Sequence, residues 1–507
     1  MGEATRMVSG SLKPIAASAW DEGCARHLLW RAGFGGTPGQ VAYLAGLGAE
    51  GAVSALLDFE KTTGTPAEAP EGFDDSIMAP PTESQRKEVQ RARRARDEDA
   101  LARVRLLRQQ KEQADRKQMS QLQRWWLKRL IESPRPMEEK LAIFWHGHFA
   151  TSYRTIENSS HMFMQNQLFR RHAAGNFGEL LHAVVRDPAM IGYLDNNESR
   201  KGKPNENLAR ELMELFSLGE GNYSEQDIRE GARALTGYSF EHNSFVFRKE
   251  WHDEGTKQVL GRNGVQDGEG FVNAILAKRE AAEFITMKLY RHLVNDLPTE
   301  GEARRVVIGV VRQLASTLAA ARYELKPMLR RLLLSEHFYD RANRLNRIKS
   351  PVELVVGIVR SLGTPVRDLG VLNDGLDLMG QSLFYPPSVK GWEGGRSWIN
   401  TSTFFVRQNI ANFLLTGKTP GGYDALAEKE RYDFRPMVAE AKKRLGGAEL
   451  DAAGVARCLI EFCLGRSVEE EKERAIAEYL GSFGALDETG VARTLALICA
   501  TAEYQLC

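Results

Sequence analysis

The chain of 507 residues is 42% hydrophobic and 27% charged, the composition of an ordinary globular protein. Its length allows roughly two to four domains or subdomains. A net charge of +1 leaves no global field for nucleic acid or an anionic membrane. The five cysteines, Cys24, Cys458, Cys463, Cys499 and Cys507, are odd in number and form neither CxxC nor CxxCH. That excludes a cysteine-rich zinc module and covalent c-type haem attachment, and it points to free thiols in a reducing compartment.

The opening "MGEATRMVSGSLKPIAASAW" holds no apolar run of signal-peptide length and no twin arginine. No stretch is apolar for long enough to span a membrane, so a cytoplasmic protein is the expectation. Residues 1–62 form an N-terminal helical segment. Within it, Thr37 is expected as an N-cap with Pro38 at the first helical position. The glycines between 33 and 39 follow a helix, not a strand, and lack the GxGxxG order, so they read as cap and turn. Residues 63–120 combine a Pro/Gly-rich acidic loop with a charged helical insertion. Between Glu83 and Ser120, 12 Lys or Arg are interleaved with 7 acids. No aromatic residue stands ready to stack a base before Trp125, so the insertion reads as a solvated arm and no nucleic acid is expected. An SxxK match at Ser84–Lys87 sits in this run without its companion motifs.

Residues 121–345 read as a helical core. An apolar face of Leu122, Trp125, Trp126, Leu127, Leu130 and Ile131 is expected to dock the end of the charged run on the core, and further helices follow with short breaks. The rhythm fails at 238–270, where Phe and Val alternate with polar residues before a Gly-rich stretch, the pattern of a hairpin or irregular loop. Residues 346–507 form a C-terminal helical region, with a helix beginning at Ser350 and an extended Pro/Gly/Trp loop at 383–405. "TGKTPGG" at 416–422 lacks the first glycine of a phosphate loop, since Asn412 stands there. The class is all-α: a large multi-helix fold with a few short strands or long irregular loops.

Candidate chemistry lies in two places. In "NENLARELMELFSLG", Asn207, Arg210, Glu211 and Glu214 fall within about 100° on a helix otherwise wrapped in apolar side chains. Such a narrow stripe is either the one exposed edge or the wall of an internal site. In "FWHGHF", His146 and His148 diverge by about 160° on a continuous helix. They could share an ion only if Gly147 broke it. His252, beside Asp253 in the irregular segment, is a third candidate ligand. HExxH and GxSxG are both absent, which excludes a zincin and an ordinary serine-hydrolase elbow.

Taken together, "RHLLWRAGFGGTP", "RPMEEKLAIFWHGHFATS", "NENLARELMELFSLGEGNYSEQDIREGARALTGY", "RIKSPVELVVGIVRSLG" and "LFYPPSVKGWEGGRSWINTSTFFVRQN" resemble the bacterial family called domain of unknown function 1800. The resemblance runs from about residue 23 nearly to the C-terminus. It implies a largely helical fold and brings no established activity. Its members are often exported and often encoded beside a protein similar to alkaline phosphatases and sulfatases, whereas no export signal is recognisable here. Two readings follow. One is an enzyme in which His146, His148, Glu211 and His252 hold a divalent metal (Fe, Mn or Zn), or His and Glu act as acid and base. Arg210, Glu214 and Asn207 would then be catalytic, and Trp392, Trp398, Asn400 and Arg407 would line a substrate loop. The other is a non-catalytic assembly partner of a phosphatase- or sulfatase-like protein, with the charged insertion as contact surface.

Overall fold

The computed structural model describes residues 8–64, 68–418, 432–445, 451–483 and 488–507. The chain is 63% helical, and among the described residues the strands form two separate two-stranded antiparallel sheets. The fold is all-α. Local signals act as the sequence indicates. Thr37 caps Pro38–Gly46 and Ser350 caps Pro351–Leu362, each closing a reciprocal capping box, with Gln40 and Glu353. The irregular segment folds as two hairpins, Tyr238–Glu241 with Ser244–Phe247 and Lys257–Val259 with Arg262–Val265. Of the Gly-rich turn at 416–422, residues from 419 onward lie outside the described part.

The charged insertion is two helices, Glu83–Ala95 and the 35-residue Glu98–Glu132. Left-handed backbone at Arg96 and the Asp97 cap break what reads as one run. Its outer half is exposed, including Leu106 at 54% and Leu107 at 57%. Its inner half is pinned by Asp115, which accepts hydrogen bonds from the Tyr153 hydroxyl (2.7 Å) and from the backbone and hydroxyl of Ser159 (3.0 and 2.5 Å).

Apolar side chains gather in two cores. The first joins Cys24–Phe59 to helices as far as Tyr339, so the N-terminal segment shares its core with the middle of the chain. The second joins Met119–Ile131 to Pro351–Leu362 and the C-terminal helices. Helix Pro136–His148 lies between them, giving Met137, Leu141, Phe144 and Trp145 to the first and Ile143 to the second. Every residue of it except Gly147 is buried, so its charged side chains must find partners inside the protein.

Two ion-pair clusters supply them. Glu139 accepts from Arg129 Nε (2.5 Å), Arg170 Nε and Nη2 (2.9 and 3.1 Å) and the Trp126 indole (3.2 Å). Burial alone would raise the Glu139 pKa, but Arg170 and Arg129 together hold it below the ordinary carboxylate value. Lys140 pairs with Glu353, which also takes Arg347 and, through its other oxygen, the Ser350 backbone N–H at 2.8 Å. The capping residue of one helix is thus the ion-pair partner of another. Glu139→Gln removes the carboxylate that two buried guanidinium groups share. It should cost about 3 kcal/mol in urea unfolding, at the lower end of the range because Glu138 stays within 3.7 Å of Arg129. A loss under about 1 kcal/mol would mean that the cluster carries little of the fold's stability.

Candidate functional site

Where the two cores meet around helix Pro136–His148, a cavity of about 400 Å³ opens. Three segments supply much of its wall, and Phe34, Gln381 and residues between Arg347 and Glu353 complete it. The first is helix Pro136–His148 itself, through Lys140, Phe144 and His148. The second is Arg279–Leu293, whose apolar residues Ile285, Leu289 and Leu293 face the core and leave Lys288, Arg291 and His292, spaced i, i+3, i+4, toward the cavity. The third is the Pro/Gly/Trp loop, with Lys390, Trp392 and Trp398.

The loop is seated by contact between backbones. A Cβ built on Gly391 would lie 1.9 Å from the carbonyl oxygen of Gly147, and Gly391 has φ +76. A Cβ on Gly147 would meet the Trp392 ring at 3.2 Å. Gly391 is therefore required both by the close approach and by its left-handed backbone, and Gly147 leaves little room beside the ring. Gly391→Ala should lower stability by about 2 kcal/mol or more, read in urea unfolding. A change within about 0.5 kcal/mol would show that the loop lifts off the helix at no cost.

Two histidines of the cavity share one pattern. His148 is 6% exposed; its Nε2–H donates to the Phe216 carbonyl at 3.0 Å, and its Nδ1 is buried without a partner. His292 lies beside the Lys140 backbone carbonyl, and its Nε2 is buried without a partner among the described residues. Phe144 stands between the two rings, 5.7 Å from the first and 5.1 Å from the second. Burial, reinforced by Lys288, pushes His148 down to about 3, against the weaker pull of the Phe216 carbonyl. Burial, with Lys140 and Arg347 adding to it, does the same to His292. Both imidazoles are neutral at pH 7, each with a ring nitrogen lone pair not engaged by the protein.

The charges are unevenly answered. Glu353 faces both Lys140 and Arg347, and Asp296 lies 3.5 Å from Arg291. Among the described residues Lys288 has no ion-pair partner; it lies 5.3 Å from the Phe284 ring, and burial, with Arg291 adding to it, lowers its pKa. Lys390 has no ion-pair partner either, and acts on Glu211 outside the cavity.

The stripe on helix Asn207–Glu214 is a surface network. Arg210 binds Glu206 (3.3 Å) and Glu225 (3.1 Å), Glu214 accepts from the Tyr223 hydroxyl at 2.7 Å, and Asn207 is exposed. Glu211 is half-buried, its pKa raised by burial and by Glu214. None of the four lines the cavity. The segment contributes to the site through its backbone instead, since Phe216 follows the helix and its carbonyl fixes His148.

The expected metal centre is not formed. Helix Pro136–His148 runs unbroken through Gly147, so His146 and His148 point apart. His146 sits among Trp126, Phe169, Phe384 and Trp392. Both ring nitrogens of His252 face backbone carbonyls, of Thr236 (2.8 Å) and Gln266 (2.9 Å). Among the described residues no three His, Cys, Asp or Glu side chains come together as a metal site. In the loop, Trp392 and Trp398 line the cavity. Asn400 instead caps helix Thr401–Thr416, and the buried Arg407 binds Gln505 (2.8 Å) and the Lys349 carbonyl (2.6 Å). The residues that the sequence reading missed are Lys140, Lys288, His292, Glu353 and Lys390. The basic triplet in "KLYRHL" was a usable signal, because its spacing puts all three on one helix face.

Burial pushes His146 down to about 3, from 6.5 for a free imidazole. Between those values the unfolded chain binds the proton and the folded chain does not, so stability falls as pH drops through the window. The unfolding midpoint should fall between pH 7 and pH 4, and His146→Leu should flatten that slope. An unchanged slope would show that His146 takes no part in it.

A family model described as "Protein of unknown function (DUF1800)" matches residues 27–506. No curated protein and no solved structure matches the chain.

Proposed function

The chain belongs to the DUF1800 family, and we propose that it is an enzyme performing acid–base chemistry on a small polar substrate in the cavity between the two cores. The observation that carries this reading is His148. Its Nε2–H is held by the Phe216 carbonyl, which sets the tautomer and leaves Nδ1 as a buried acceptor on a residue of the cavity wall. Such a nitrogen takes a proton from a substrate hydroxyl or a bound water. His292, with its own unpartnered Nε2, serves as a second acceptor or returns the proton.

A pKa near 3 makes His148 a poor base while the cavity holds no negative partner for it. Lys288 is the nearby charge opposing protonation, so a substrate that neutralises Lys288 removes that opposition and brings His148 closer to the working range.

The test is a panel of chromogenic phosphate, sulfate and carboxylate esters and glycosides, assayed with the wild-type chain and with His148→Gln. Turnover of at least one compound is expected, falling about 100-fold or more in the variant, with circular dichroism and Tm unchanged. Turnover that survives the substitution at full rate, or no turnover on any of the panel, counts against the reading.

A further inference from the structure

We infer that the cavity takes a sugar-sized polyol bearing one anionic group, a phosphate monoester or a carboxylate. The inference rests on the acid–base reading above and names the substrate class for the same site. Three features of the cavity act together. Among the described residues, Lys288 is half-buried and without a carboxylate partner, and Lys390, exposed at the loop, has none. The Trp392 indole N–H is buried and makes no hydrogen bond. These are donors for an anion, and an anion offsets the cost of keeping Lys288 charged away from water.

The opposite need is met by the neutral imidazoles of His148 and His292, both residues of the cavity wall. Each carries one lone-pair nitrogen, which accepts from an O–H group and repels a bare anion. A ligand that satisfies both sets carries hydroxyls as well as a negative group. Inorganic phosphate answers only the first set, and a neutral sugar only the second.

The third feature is apolar. Phe144 lies between the two histidines, and Trp392 and Trp398 line the loop side. Aromatic faces are the complement of the C–H faces of a sugar ring. A cavity of about 400 Å³ lies in the usual range for small-molecule sites, roughly 300–1,000 Å³.

The carboxylates on the walls do not cancel this field. Glu353 is shared between Lys140 and Arg347, and Asp296 is engaged by Arg291. Among the described residues the lining carboxylate without an ion-pair partner is Glu393, exposed at the loop like Lys390, against Lys288 and Lys390. The balance is positive.

Isothermal titration of the full chain with glucose 6-phosphate, glucuronate, glucose and inorganic phosphate tests the inference, together with Lys288→Ala and His148→Gln. At least one anionic sugar should bind saturably below about 10 mM, at least tenfold more tightly than glucose or phosphate. Lys288→Ala should weaken it tenfold or more, and His148→Gln should weaken the anionic sugar but not inorganic phosphate. If Lys288→Ala does not fold, Lys288→Met takes its place. No saturation by either anionic sugar, glucose or phosphate binding as tightly as they do, or indifference to the lysine substitution overturns the inference. Failure of these ligands beside a His148-dependent turnover overturns the substrate class alone. Anionic-sugar binding beside turnover indifferent to His148 supports the ligand class and removes the acid–base role.

Discussion

Helix Pro136–His148 has almost no face in water, and the rest of the structure answers to that constraint. A buried carboxylate or ammonium persists only when opposite charge and hydrogen bonds replace the water it lost. Glu139 draws in Arg129 from the long helix and Arg170 from Ser159–Arg171. Lys140 draws in Glu353 from Pro351–Leu362. His148 draws in the carbonyl of Phe216. Each demand fixes one neighbouring segment, and together they set how the two cores meet.

The cavity follows from the same arrangement. Near its C-terminal end Gly147 leaves room on the helix surface for the backbone of Gly391 and the loop behind it. The loop closes one side of the cavity without filling it. What remains is a space bordered by charges already committed to structure, by two neutral imidazoles and by lysines with nothing opposite them. Burial here does two jobs at once. It makes the histidines weak bases, and it makes the field of Lys288 strong.

Local features were legible in the sequence and convergent ones were not. The Thr37–Pro38 and Ser350–Pro351 helix starts are decided by neighbours a few residues away, so they are readable from a short string. The divergence of His146 and His148 is likewise fixed by helical pitch once Gly147 fails to break the helix. A metal centre at His146, His148, Glu211 and His252 asks three segments to converge, and no local rule reports on that. The polar stripe at 207–214 drew attention because it is narrow. Its side chains bind Glu225 and Tyr223, a turn further along the chain. Lys288 and His292 passed unnoticed because basic residues near the end of a helix are accounted for by its dipole alone. Gly391 was read as loop composition, since the carbonyl that requires it belongs to a distant helix.

The pairing of Lys140 with Glu353 spans 213 residues of chain. At about 5–20 residues per second, synthesis brings out the partner of Lys140 roughly 10–40 seconds after Lys140 itself. Through that interval the central helix carries an ammonium group destined for the interior with its carboxylate not yet made. The first core can gather its apolar side chains early, but this helix cannot settle into its final burial until Pro351–Leu362 arrives. The cavity is therefore a late product of folding. A nascent chain arrested midway would hold most of one core and none of the finished site.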